Sequence, residues 1–291
     1  MTIRAHRTGR EPAAPSASPA GGAALRDPGA PKRTTADSSA GHRVWDHAPV
    51  RELTLLGTCG AWPEAGRAAS GFLLEADGFR LVLDLGYATL PRLLCLRAAS
   101  ELDAVVITHE HPDHCADLSA LCRALRFGGE RDRRVPLYCL PGVLVRVQAM
   151  EPTEGLRDVF DPRPLPGSHE VGPFRLDSRP LPHHVPHAGV RLTAPGLTLA
   201  YSGDAGPDRA LGELAAGADL LIAGVTLQGP ATDPYLLSAA QAGRWAARAG
   251  ARRLLLTHFW PGAERGRSVA EARAAYDGEV LAAAEELTLA L

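Results

Sequence analysis

The five cysteines, Cys59, Cys95, Cys115, Cys122 and Cys139, include no Cys-x-x-Cys pair, and their odd number provides no disulfide framework. Thiols in that pattern point to a reducing, cytoplasmic setting rather than to a stapled secreted fold. Basic excess is also missing. Over 291 residues the formal net charge is −2, so overall charge offers no footprint for nucleic acid. No apolar run approaches the roughly 20 residues that a membrane span requires. Arg4, Arg7 and Arg10 open the chain, but Pro, Ala and Ser follow where the apolar part of a secretory signal would stand. These absences predict a soluble cytoplasmic protein with no membrane partner.

Aromatic residues are absent before Trp45, and residues 1–44 are rich in Ala, Pro, Gly, Ser and Arg. Such a segment cannot bury enough apolar surface to offset its ordering entropy. Residues 1–48 are therefore expected to be a disordered tail, to which no function is assigned. Residues 49–291 are expected to form the folded domain, long enough for a substantial core.

Within that domain, Leu53 and Leu55 mark a strand that ends at Gly57-Thr58-Cys59-Gly60, which lacks the Gly-Lys-Ser/Thr of a phosphate-binding loop. Residues 72–75 and 79–84 flank Ala76-Asp77-Gly78, a strong hairpin signal. A helix is expected over 89–98, a strand over 103–108, a helix over 114–126 and a strand over 135–140. Residues 151–172 read as a Pro- and Gly-rich connection. The second half repeats the texture: a strand at 174–181, a hairpin of 189–193 and 197–201, then strands at 219–225 and 252–257 around a helix at 238–249. A helix near 268–276 and short strands near 279–291 close the chain. Strands opening each half and helices following suit two sheets packed face to face with helices outside.

What is abundant is histidine in one place. Residues 109–114 read His109-Glu110-His111-Pro112-Asp113-His114, directly after the apolar run Asp103-Ala104-Val105-Val106-Ile107-Thr108. Four potential metal ligands fall within six positions at the end of a buried strand. Alternate side chains of an extended segment can enter one cavity, and imidazole with carboxylate suits zinc and similar divalent ions. His109 and His111 have same-face spacing for one ion, while Asp113 and His114 can turn towards a second. Cys115 follows directly, either as a metal neighbour or as a small buried residue opening a helix. Three further candidates, His183, Asp204 and His258, each stand at the C-terminal end of an expected strand and can converge on one rim.

At these residues the chain resembles the metallo-β-lactamase superfamily over roughly 50–291, most closely its ribonuclease Z-like branch of bacterial metallo-hydrolases. The resemblance implies an α+β fold, the αββα four-layer sandwich. It also implies two divalent cations, zinc first and manganese second. His109, His111 and His183 would hold one, Asp113, His114 and His258 the other, and Asp204 would bridge them. Asp113 and Asp204 are the carboxylates implied in catalysis, alongside a hydroxide shared by the two ions. The pattern Leu-x-His-x-Val-Pro-x-x-Gly-x-Arg around His183 favours it over His184 as ligand, leaving His184 and His187 to line the pocket or orient ligands. The resemblance is compatible with a homodimer, although no interface stripe is legible.

Two departures from that family bear on function. Its ribonuclease Z-like members carry a glutamate after the strand that follows the bridging aspartate, and a histidine opening the next helix. That pair is thought to protonate the leaving oxygen. Here Gly224 and Leu236 occupy those positions. Asp233, Tyr235, His184 and His187 are the nearby substitutes. Second, only 20 residues separate His183 from Asp204, so the long tRNA-binding arm of bacterial ribonuclease Z does not fit, and tRNA is discounted as a substrate. Trp62-Pro63 and Phe259-Trp260 are read either as pocket walls or as ordinary packing aromatics.

The expectation is therefore a dinuclear hydrolase acting on a small phosphodiester. The alternatives are an acyl hydrolase acting on a lactone, thioester or lactam, and a descendant that binds metal without catalysis.

Overall fold

The computed structural model describes residues 51–128, 133–151 and 155–291. The tail expected over 1–48 lies outside the described residues. The first half of the chain supplies β1 (Arg51–Gly57), β2 (Gly71–Ala76), β3 (Phe79–Leu85), β4 (Ala104–Ile107), β5 (Val135–Cys139) and β6 (Phe160–Pro164). The second supplies β7 (Ser168–Val171), β8 (Phe174–Pro180), β9 (Ala188–Ala194), β10 (Leu197–Tyr201), β11 (Leu220–Gly224), β12 (Arg253–Thr257) and β13 (Glu279–Ala282), before β14 (Thr288–Ala290) returns to the first sheet.

The sheet orders are β14-β1-β2-β3-β4-β5-β6 and β13-β12-β11-β10-β9-β8-β7. Each sheet is antiparallel on one side and parallel on the other. Strands β3 to β6 run parallel in the first, and β10 to β13 in the second. Parallel strands need both faces covered, and the sequence meets this with near-continuous apolar runs. Alternation then sorts each run. Phe72, Leu74, Leu81, Leu83 and Val106 join Leu176, Val190, Leu192 and Leu199 in the core between the sheets. Leu73, Val82, Val105 and Ile107 face the other way, onto a second cluster with Leu93, Leu118, Leu121 and Val143.

These outer residues come from α1 (Thr89–Leu96), α3 (Asp117–Phe127) and α4 (Pro141–Met150), with the one-turn α2 (Pro112–Cys115) between β4 and α3. After the short α5 (Leu156–Val159), the second sheet is backed by α6 (Arg209–Leu214), α7 (Ala239–Ala249) and α8 (Arg265–Arg273). The α+β, αββα arrangement is the observed one. Among the described residues no helix is long and apolar enough to cross a membrane.

Local chemistry explains the joints. Asp77 and Gly78 both have positive φ, 53° and 85°, as the two-residue turn between β2 and β3 requires. Helix α7 opens with a capping box: Ser238 accepts from Gln241 N–H, and the Gln241 side chain accepts from Ser238 N–H. Left-handed Gly250 closes it.

Two segments differ from expectation. The connection over 151–172 contains α5, β6 and β7, short strands whose Pro-rich sequence hides their period. Helix α4 has no clean apolar stripe, since only Val143 and Val147 are buried.

Candidate metal centre

The parallel strands of both sheets end on one rim. Chain reversal after β4 is set by Pro112 at the first position of α2, which holds His111 extended at φ −67° and ψ 141°. His109 and His111 therefore project from extended backbone, and Asp113 and His114 from a single helical turn. His183 follows β8, Asp204 follows β10, Thr226 follows β11 and His258 follows β12. His258 has φ 58°, and Asp84 at the end of β3 has φ 56°, left-handed backbone that their hydrogen bonds hold in place.

The structure brings all seven expected ligands together. Candidate ligand atoms of His109, His111 and His183 lie within 4.8 Å of one another, and so do those of Asp113, His114 and His258. Asp204 stands between the groups, with Oδ2 3.8 Å from His183 Nε2 and Oδ1 3.4 Å from His258 Nδ1.

Hydrogen bonds on the outer side of four imidazoles fix which nitrogen faces inward. Thr108 Oγ1 donates to the Asp84 carboxylate and so accepts from His109 Nδ1–H at 3.1 Å. His114 Nδ1–H donates to Asp84 Oδ2 at 2.7 Å. His183 Nδ1–H donates to the Tyr235 carbonyl at 3.2 Å. Thr226 Oγ1 donates to Asp204 Oδ1 at 2.9 Å and accepts from His258 Nδ1–H at 2.9 Å.

Where the ring is neutral, its inner nitrogen carries the lone pair. His258 Nε2 then faces Asp113 Oδ2 at 3.1 Å, and His183 Nε2 faces His111 Nδ1 at 3.0 Å. His109 Nε2 and His114 Nε2 are buried with no hydrogen-bond partner among the described residues. Ring nitrogens and carboxylate oxygens this close together, with His109 Nε2 and His114 Nε2 lacking a hydrogen-bond partner among the described residues, are what a cation would satisfy. The donor set fits two divalent ions.

The electrostatics separate the histidines. Burial drives His109 well below the ordinary imidazole range and lowers His183 to about 4, so both are bare bases. Burial would also lower His114, but the carboxylates of Asp113 and Asp84 raise it to about 9. Burial opposes ionisation of Asp113, yet the neighbouring His114 and His258 hold its carboxyl far below the usual range, and Ala61 N–H donates to its Oδ2 at 2.7 Å.

Four residues escaped sequence reasoning: Asp84, Thr108, Tyr201 and Thr226. The Asp84 carboxylate gathers Thr108 N–H, Thr108 Oγ1, His114 Nδ1 and the Tyr201 hydroxyl. A charged residue closing the apolar strand Leu81-Val82-Leu83 was the available signal for it.

Other candidates have different places. His187 is buried, both ring nitrogens without a hydrogen-bond partner among the described residues, with its ring 5.0 Å from that of His109. His184 is exposed and packs on Tyr235, ring centroids 5.0 Å apart. Cys115 is buried, its thiol directed at the Glu110 carbonyl and raised to about 12 by burial, and it joins neither ligand group. Asp233 accepts from Tyr235 N–H.

A family model described as the beta-lactamase superfamily domain matches residues 82–259. The probable metallo-hydrolase YhfI of Bacillus subtilis is 30% identical over 237 residues, covering 79% of this chain and 95% of the relative. The crystal structure of that protein is similar at a TM-score of 0.76 and 27% identity, covering 83% of this chain and 99% of the other. A ribonuclease Z of Kineococcus radiotolerans is 29% identical over 283 residues, covering 77% of this chain and 88% of the relative.

Proposed function

The chain belongs to the metallo-β-lactamase superfamily, and from that premise we propose a dinuclear, zinc-dependent hydrolase acting on a small phosphodiester. The observation that carries this reading is Asp204 standing between two ligand groups whose imidazoles are turned inward by outer hydrogen bonds. His109, His111 and His183 would hold one ion and Asp113, His114 and His258 the other, with Asp204 shared. Two such ions, when bound, supply Lewis-acid charge to a phosphoryl or acyl centre and bring the pKa of water towards neutrality.

The chain's own residues supply position. Ala61 N–H and Thr226 Oγ1 each hold one oxygen of Asp113 and Asp204 respectively, which orients both carboxylates before substrate arrives. Burial of six of the seven candidate ligands, all but the half-buried His111, keeps bulk water from competing for those charges. Lack of a disulfide among the five cysteines supports action in the cytoplasm.

The interval between His183 and Asp204 favours a small substrate. Strands β9 and β10, joined by Pro195-Gly196, occupy most of it, and no tRNA-binding arm projects there. Similarity to a ribonuclease Z makes tRNA the first alternative to assay. Acyl hydrolysis is the second reading, favoured by Leu236: with no histidine there, esters whose leaving groups need no proton are the better substrates. A metal-binding descendant without turnover is the third.

The test is hydrolysis of bis(p-nitrophenyl) phosphate by zinc- and manganese-loaded protein, beside His183→Ala and Asp204→Ala variants and a precursor tRNA control. Metal-dependent turnover lost in both variants is expected. Unchanged turnover in both sinks the site assignment. Silence from protein that binds two ions moves the substrate to lactones and thioesters.

A further inference from the structure

Among the described residues, two of the large exposed side chains stand together. Trp62 is 46% and Trp260 43% exposed, with ring centroids 5.3 Å apart and planes at 81°. Exposing two indoles side by side forgoes burial of the largest apolar side chains in the alphabet, so their place needs an occupant. Both are tied to the candidate metal centre. Trp260 lies two residues past His258. Trp62 follows Ala61, whose N–H donates to Asp113 Oδ2, and its own N–H donates to the Gly60 carbonyl at 2.8 Å.

A cavity of about 410 Å³ opens beside Trp260, lined by Thr226, Leu227, Gln228 and Leu236 among others. Thr226 is shared with the centre, since its hydroxyl contacts both Asp204 and His258. Leu236 turns the position of a proton-donating histidine into apolar wall. Gln228 adds a fixed polar group: its amide nitrogen donates to the Glu264 carbonyl at 2.7 Å and to Ser268 Oγ at 2.8 Å. Its amide oxygen accepts no hydrogen bond from the described residues.

Resting on the phosphodiester reading above, we propose that Trp62, Trp260 and this cavity form a subsite for a nucleobase carried by a phosphoester bound at the candidate metal centre. Indole surface is a sequence-tolerant stacking platform for bases. The volume exceeds what a lone phenyl ring fills, and a Gln amide at the wall matches the hydrogen-bonding edge of a base rather than a plain aryl group. Thr226 joins the two parts, so one ligand can span from stacked ring to metal centre.

The experiment is calorimetric titration of zinc-loaded protein with adenosine 5′-monophosphate, phenyl phosphate and ribose 5-phosphate. Wild-type protein is expected to bind the nucleotide about tenfold more tightly than ribose 5-phosphate, a gain that Trp62→Ala and Trp260→Ala each largely remove. Tryptophan-to-phenylalanine variants should keep most of it. Both rings are at the surface, and thermal melts of the variants verify that the fold is intact. Equal affinity for nucleotide and sugar phosphate, or unchanged nucleotide affinity in both alanine variants, overturns the subsite. Phenyl phosphate matching the nucleotide overturns the nucleobase in favour of any aryl ester. Nucleotide bound through the tryptophans by protein that cleaves no phosphodiester leaves the subsite standing and removes the phosphodiesterase reading. Diester cleavage without base preference does the reverse.

Discussion

The carboxylate of Asp84 lies 2.7 Å from His114 Nδ1, and both side chains are completely buried. Tyr201 donates to the same oxygen at 2.8 Å from the facing sheet, and Thr108 binds the other. One carboxylate thus ties the strand β3 of the first sheet, the ligand turn after β4 and the strand β10 of the second. Asp84→Asn keeps the volume and tolerates φ 56°, but removes the charge that holds the His114 proton on Nδ1. We expect metal affinity to fall about 10–100-fold, as for other residues that orient metal-bound histidines. Competition with a zinc chelator reads this directly, and unchanged affinity would remove Asp84 from the site.

Gly203 allows a close approach of the two halves of the centre. It has φ 59°, and a Cβ there would come within 2.2 Å of His187 Nε2 and 3.2 Å of Thr108 Oγ1. Gly203→Ala therefore forces the buried His187 ring to shift, at a cost of about 1–3 kcal/mol for overpacking. The signature is non-additivity: His187→Ala makes room, and the double variant should be more stable in urea than the sum of the single variants predicts. Additive losses would show that the two residues do not press on each other.

The ligand turn was legible because its information is local. Six consecutive residues, one proline and a preceding apolar strand specify most of one half of the centre, and strand ends marked His183, Asp204 and His258. Asp84 and Thr226 were not legible, because each acts on a histidine 30 or 32 positions away, and only sheet pairing reveals the contact. Helix α4 escaped for a different reason: its sequence Pro141-Gly142-Val143-Leu144-Val145-Arg146 is β-branched and apolar on several sides, and Val145 stays 69% exposed. Strands β6 and β7 pair at the far edges of their sheets, where only Phe160, Leu165 and Val171 supply buried anchors. The tail assigned to 1–48 lies outside the described residues.

In the proposed hydrolase, position 236 is where the choice of leaving group can be tested. Leu236 lines the same cavity as Thr226, whose hydroxyl contacts Asp204 and His258. The supporting glutamate cannot be restored beside it, because a Cβ at Gly224 would lie 2.4 Å from the Gly203 carbonyl oxygen. Leu236→His alone tests the position. Wild-type turnover should drop steeply from p-nitrophenyl to alkyl esters, since nothing at 236 protonates the alkoxide. In the histidine variant the ratio of alkyl to p-nitrophenyl turnover should rise by about tenfold or more, the lower part of the usual gain from a positioned acid, because the imidazole lacks a carboxylate to orient it. Comparing a ratio within each protein cancels changes in folding and metal loading. A ratio that stays flat in fully metal-loaded variant protein would mean that residue 236 does not face the leaving group, and the search for a proton donor would turn to His184 and Tyr235, which pack on each other beside His183.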